Sequence, residues 1–282
     1  MVKIIIKIFI VYLALIYQGN LYAADSTSIK TNNSTNILIT VVNDFKSTGA
    51  DINILSYKIS HLDYNSIIYA TGISAGTALS FLLDDEIRKI EKKYNNKHND
   101  KIYNITNKFG EGINAVIFSS SMYLGGLFWG SNSVRTTGRL LLESIVLSAL
   151  TTQVIKYVTG RSRPFVGKGN ADFNFFSLED KYNSFPSGHT AVAFSMASVL
   201  SRQIDTWWAY AGFYSLALST GGARMYYDKH WLSDVFLGAA IGIISGNVIC
   251  SSNSLAEYQH KNKDQTYLIY PTYNGIGFAV NF

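Results

Sequence analysis

Apolar residues in this chain arrive in six runs, at about 64–83, 112–131, 138–158, 189–203, 207–221 and 230–250, and their spacing is mostly helical rather than alternating. Such a pattern is satisfied by helices packed on helices, so the expected fold is all-α, with a six-helix core bundle. A length of 282 residues with 48% hydrophobic content suffices for one large domain. Between the first two runs lies DDEIRKIEKKYNNKHNDKIYNITNKFGEG, of mixed charge. Its first part is expected to continue the preceding helix, and its charges to form a solvated face. No internal repeat is present.

The two ends differ from the middle. Lys3 and Lys7, the apolar run from Ile8 to Tyr17, and Leu-Tyr-Ala before Ala24 are the three zones of a secretory signal peptide, with cleavage expected after Ala23. The expected organisation is a signal peptide over 1–23, an N-terminal extension over 24–63, a helical domain over 64–252 and a tail over 253–282 with a short strand or hairpin. Residues 24–40 are rich in Asn, Ser and Thr and read as a flexible entry. In the closing GIGFAVNF, Ile276, Phe278, Val280 and Phe282 share one strand face. One or two strands cannot close a membrane barrel of at least eight, so a hairpin docked on the helical domain is expected.

Whether the helices cross a membrane is balanced by their composition. Several approach the roughly 20 residues a bilayer requires, yet Glu143 interrupts one and mean hydropathy is only +0.10. If residue 24 is exported, alternation puts the loop at 84–111, with its seven Lys and Arg, inside. The same alternation puts the polar clusters described next in the cytoplasm, which suits an exported protein poorly. A helical domain wholly in the periplasm, leaning on a membrane, removes the conflict. The net charge of +5 would fall to +3 without the two leader lysines, and no dense Lys/Arg face points to nucleic acid. Cys250 is the single cysteine; no intramolecular disulfide can form, and its apolar run makes it a packed thiol.

Three polar clusters stand where helices should end or begin. In KYVTGRSRP, Gly160 and Pro164 stop the helix carrying Lys156 and leave Arg163 just beyond it. Basic residues there complement a helix dipole whether or not they bind anything. In SFPSGHT, Pro186 suits a first helical turn, Ser187 and Gly188 can leave backbone N–H groups uncovered, and His189 enters the helix. Such a terminus attracts an anion, although a lone histidine can equally cap or pack. In ARMYYDKHWLSDV, Arg224 precedes His230 by six residues and Asp234 follows it by four, a spacing that on a helix brings carboxylate and imidazole together. An Asp held on one ring nitrogen frees the other as a nucleophile; a buried pair satisfying only itself is the alternative. Gly238, Gly242 and Gly246 continue that face and would let another helix approach closely.

Lys156 with Arg163-Pro164, Pro186-Ser187-Gly188-His189, and Arg224 with His230 and Asp234 resemble the three-part signature of the type 2 phosphatidic acid phosphatase family, which also includes bacterial nonspecific acid phosphatases and vanadium haloperoxidases. Ala223 stands where that family usually has Ser, which removes one hydrogen bond of about 1 kcal/mol if the hydroxyl touches phosphate. The resemblance implies hydrolysis of a phosphate ester or anhydride without metal or other cofactor, through a phosphohistidine. His230 would be the nucleophile, Asp234 its partner and His189 the acid, with Lys156, Arg163, Ser187, Gly188 and Arg224 binding phosphate. Joined to the leader at 1–23, it gives an expected exported phosphatase in the periplasm or cell envelope, leaning on the membrane. Its substrate would be a lipid phosphate or diphosphate, of the phosphatidate, undecaprenyl diphosphate or lipid A type. A soluble acid phosphatase acting on small esters, a haloperoxidase and a noncatalytic envelope protein are the other readings.

Arg161 matches no family role and reads as a rim charge or structural partner. Ser144, Ser148, Thr152 and Lys156 line one side of a helix and either border the site's approach or meet solvent. Phe173, Phe175 and Phe176, in the loop at 166–183, either cover the site, touch acyl chains or pack. His61, His98 and His260 are expected at the surface.

Overall fold

The computed structural model describes residues 33–60, 63–93, 97–261, 267–272 and 275–280. Eight α-helices lie among them: α1 (Asn33–Ser60), α2 (Tyr64–Lys93), α3 (Lys97–Phe109), α4 (Gly112–Phe128), α5 (Asn132–Thr159), α6 (Gly188–Ile204), α7 (Trp207–Tyr226) and α8 (Leu232–Lys261). The chain divides into one compact unit, Ile59–Cys250, and a second drawn from Met1–Lys58 and Ser251–Phe282.

In the larger unit, α6 is the helix around which the others gather. Thr190–Ser201 is buried without a break, because Ala, Ser and short aliphatic residues occupy every side of the helix and let neighbours close on all of them. Helix α5 packs on α4 and α6, and α7 packs on α6 and α3. Leu140, Leu141 and Ile145 of α5 meet Val192, Met196 and Val199 of α6 in the main apolar cluster, with Ile249 and Cys250 of α8 closing it. Helix α8 reaches α6 through its glycines. A methyl group at Gly238 would stand 2.5 Å from the carbonyl oxygen of Ser187, and one at Gly242 2.4 Å from that of Ala191. The close approach expected from the glycine spacing is therefore backbone against backbone.

Two sequence expectations are revised by this packing. The polar face of α5 neither borders an open approach nor meets solvent: Ser144, Ser148, Thr152 and Lys156 are all buried against the bundle. The hydroxyls of Ser144, Ser148 and Thr152 survive burial by donating to carbonyls of their own helix, Leu141, Ile145 and Ala149, at 3.0, 3.0 and 2.9 Å. The segment after residue 83 is not wholly a solvated face either. It continues α2 to Lys93 and then forms α3, and Asp84 is buried.

Among the described residues, three helices are long and apolar enough to cross a membrane: α2, α5 and the Leu232–Ser254 part of α8. The apolar window of α2 is only 6% buried within the protein. Helix α4 likewise exposes Ile113, Ile117 and Phe128. Apolar surface of that extent is unusual for a domain surrounded by water.

In the smaller unit, α1 occupies part of the stretch read as an extension; the Asn, Ser and Thr before it masked the apolar sequence from Ile37 to Phe45. Strands β1 (Tyr267–Thr272) and β2 (Gly275–Val280) pair antiparallel, with Tyr267 opposite Val280 and Thr272 opposite Gly275. Residues 1–23, read as a signal peptide, and Phe282 lie outside the described residues, as do the side chains of His61, His98 and His260.

Candidate active site

The ends of α5 and α7 and the beginnings of α6 and α8 meet at one end of the larger unit. Gly160 closes α5 with φ of 55°, in the left-handed region, and its N–H donates to the carbonyl of Lys156. A side chain could not replace it: a methyl group would lie 1.7 Å from the carbonyl oxygen of Asn174. Lys156 thus ends the helix facing inward, and its Nζ donates to the carbonyl oxygens of Asn183 and, at 3.2 Å, Ser184.

Ser187 is the residue that caps α6. Its Oγ accepts the Thr190 N–H at 3.4 Å and the Thr190 hydroxyl at 2.8 Å. Pro186 therefore precedes the cap, behind a cis peptide bond from Phe185, instead of standing in the first turn. Gly188 and His189 open the helix, and a methyl group on Gly188 would lie 3.8 Å from Cε of Lys156. The second motif is joined to the third through the backbone, where Ser187 N–H donates to the carbonyl of Asp234 at 2.8 Å.

His230 stands in the turn before α8, and Asp234 lies in that helix's first turn, so the pair is not formed by helical spacing. Asp234 Oδ2 instead caps the turn, accepting the Trp231 N–H at 2.8 Å, and it also accepts the Ser184 hydroxyl. His230 Nδ1 lies 3.4 Å from the same oxygen, without the alignment of a hydrogen bond. The backbone N–H of His230 donates to the carbonyl of Arg224 at 3.2 Å, which fixes the imidazole to the end of α7. Arg224 gives one N–H to Asn107 Oδ1 at 2.8 Å, while its buried Nε has no partner. Buried donors left open beside cations mark where an anion's oxygens fit.

Electrostatics keep both imidazoles neutral. Burial pushes His230 well below its usual value, and Lys156 and Arg224 add to the shift while Asp234 opposes it. Burial, then Arg224, Lys156 and Arg163, push His189 down to about 3. A neutral imidazole carries the free lone pair that nucleophilic attack requires.

A PAP2 superfamily profile matches residues 137–256. That stretch is a PAP2 superfamily domain. A lipid A 1-phosphatase of Porphyromonas gingivalis is 30% identical over 190 residues, 65% of this chain and 38% of that protein. A lipid A 1-phosphatase of Rhizobium etli is 30% identical over 107 residues, 37% of this chain and 45% of that protein. The chain therefore spans less than half the length of these curated relatives. A crystal structure of a transmembrane PAP2 type phosphatidylglycerolphosphate phosphatase from Bacillus subtilis shares the fold, with TM-score 0.52 at 18% identity over 73% of this chain and 96% of that one.

The PAP2 match contains all eight residues singled out above, while Asp84 and Asn107, which bond to its arginines, lie outside it. Of the two readings of Arg161, rim charge or structural partner, the structure bears out the partner. Arg161 is fully buried, with Nη1 on Asp234 Oδ1 and Nη2 on Asp84 Oδ2, both at 2.6 Å. Its plane lies among aromatic rings, with Phe81 at 4.6 Å and Trp231 at 5.5 Å from the guanidinium carbon. Asp84, on α2, had no signal in the sequence, because nothing in a charged helix end reveals which carboxylate turns inward. Asn107 and Ser184 were missed for the same reason.

The loop between the first two motifs touches two of the cations, Arg163 through Asp180 and Lys156 through the Asn183 carbonyl. Arg163 Nε donates to the Asp180 carbonyl at 2.9 Å and Nη2 to its carboxylate at 2.8 Å. Phe175 and Phe176 are 66% and 62% exposed, Phe175 stacked on Phe173 and Phe176 edge-on to Tyr157 of α5.

Proposed function

We propose that this PAP2 domain hydrolyses the phosphate monoester or diphosphate of a membrane lipid through a phosphohistidine. The observation that carries the reading is the grouping of Lys156, Arg163, Arg224, His189 and the His230–Asp234 pair around the start of α6, with the Nε of Arg224 open. In this reading the bound phosphate offsets the cations around His189, which takes up a proton; His230 Nε2 attacks phosphorus while the bond to the leaving oxygen breaks, and that oxygen takes the proton from His189. The positive charge that develops on His230 is met by Asp234, and the Nδ1 separation closes to a hydrogen bond as it forms. Lys156, Arg163 and Arg224, with the Ser187 hydroxyl and Gly188 N–H, hold the nonbridging oxygens as charge shifts among them. Water, deprotonated by His189, then cleaves the phosphorus–nitrogen bond.

A lipid substrate is favoured by surface chemistry. The exposed apolar sides of α2 and α4, the exposed rings of Phe175 and Phe176 beside the site, and Trp129, Trp207 and Trp208 at the other helix ends form the profile of a membrane-embedded protein with interfacial aromatics. The named relatives make a lipid A type substrate the first to test, and the leader-like first 23 residues support a location in the cell envelope.

The test is phosphate release from a long-chain lipid phosphate in detergent and from a small soluble monoester, with His230→Ala as control. Preference for the lipid and an inactive His230→Ala are expected. Substantial turnover by His230→Ala would sink the phosphohistidine, and equal use of the soluble ester would return the acid phosphatase reading.

A further inference from the structure

We propose that Asp84 is a positioning residue of this site, acting through Arg161 to set how much negative charge Asp234 presents to His230. The inference rests on the phosphohistidine reading above. Its basis is a continuous buried chain: Asp84 Oδ2 to Arg161 Nη2 at 2.6 Å, Arg161 Nη1 to Asp234 Oδ1 at 2.6 Å, and Asp234 Oδ2 to His230 Nδ1 at 3.4 Å. Asp84, Arg161 and Asp234 are each 1% exposed or less, so water does not screen these charges from one another.

The geometry makes Arg161 a shared cation. Left alone with Asp234, its guanidinium would neutralise the one carboxylate that faces the nucleophile, and the imidazolium formed during attack would lose its counter-charge. Asp84 supplies a second carboxylate to the opposite arm of the fork, leaving Asp234 with negative charge to spare. Ser233 fixes the arrangement: its N–H donates to Asp84 Oδ1 at 2.9 Å and its hydroxyl to Asp84 Oδ2 at 2.8 Å, while the same hydroxyl accepts from Arg161 at 2.7 Å. One turn further along α2, Arg88 binds Asp228 at two points, 2.7 and 2.8 Å, and so holds the turn that carries His230. Helix α2, outside the stretch that matches the superfamily, thus supports the nucleophile's side of the site from behind.

An opposite charge within about 4–6 Å moves a group's proton affinity by about one to three pKa units, and one unit is tenfold. Asp84→Asn is therefore expected to lower kcat about tenfold or more with KM changed by less than about twofold, since no phosphate-binding group is touched. In an Arg161→Gln background, where there is no cation to share, Asp84→Asn should add little further loss. Thermal unfolding in detergent measures the folded fraction to which each kcat is referred. Wild-type kcat in Asp84→Asn, or equal and independent losses in the two backgrounds, would overturn the proposal. If Asp84→Asn does not fold, Ser233→Ala removes the bridging hydroxyl alone, and the same fall in kcat at constant KM is expected; unchanged kcat overturns it. An active His230→Ala control would instead remove the functional reading itself.

Discussion

The guanidinium of Arg163 is held at two points by a single residue, Asp180, through its backbone carbonyl and its carboxylate. Asp180 itself is 82% exposed, whereas the Arg163 side chain is 13% exposed. A partner that is mostly in water binds weakly, about 0–1 kcal/mol, so an incoming phosphate displaces it at little cost. Asp180→Ala is expected to lower KM, and the inhibition constant for inorganic phosphate, by up to about fivefold, the equivalent of about 1 kcal/mol. Steady-state kinetics with phosphate as inhibitor checks this; a raised KM would mean that Asp180 orders Arg163 and does not compete for it.

Anion binding should tighten as pH falls. In the free site His189 is held at about 3, first by burial and then by Arg224, Lys156 and Arg163. A bound anion offsets those cations and raises His189 above that value, so binding takes up a proton and is favoured by acid. Sulfate, which keeps one charge state over the neutral and mildly acidic range, is the suitable probe. Its affinity should rise as pH is lowered in the wild type and rise less in His189→Gln, measured as competitive inhibition or by calorimetry.

The contact between α8 and α6 predicts a stability loss. A side chain at Gly242 would press on the Ala191 carbonyl and on Cβ of Phe194, at 2.4 and 2.7 Å, neither of which can swing away. Gly242→Val is expected to destabilise the fold by about 1–3 kcal/mol or more. Gly72, on α2, has nothing within 4 Å of such a methyl group. Gly72→Ala should be neutral or stabilising by up to about 1 kcal/mol. Thermal unfolding of both in the same detergent makes the comparison.

Exposed apolar groups beside the site predict different behaviour toward two kinds of substrate. Phe175 and Leu178 are exposed in the loop whose Asp180 holds Arg163. Each is a large side chain whose burial in an apolar phase contributes about 1.5–3 kcal/mol. Phe175→Ser with Leu178→Ser should slow hydrolysis of a lipid phosphate in vesicles severalfold and leave a soluble monoester unaffected. Equal loss on both substrates would make the loop a structural cover.

The helical class, and the position of the eight candidate residues at helix ends, were legible in the sequence because both rest on local relations. A helix that must end at Gly160, or begin at Ser187, declares itself within a few residues, and so do the charges placed at such ends. Even there the sequence misjudged detail: it put His230 and Asp234 on one helix, where Asp234 instead caps the turn holding His230. Only the tertiary structure decided which charges face inward. Asp84 and Arg161 lie 77 residues apart, and their neighbours in sequence carry charges of the same kind. What separates Asp84 from Asp85 is the turn of α2 that faces α8, and that follows from how the helices pack. A charge becomes part of the site when burial removes its water and a partner from another helix replaces it.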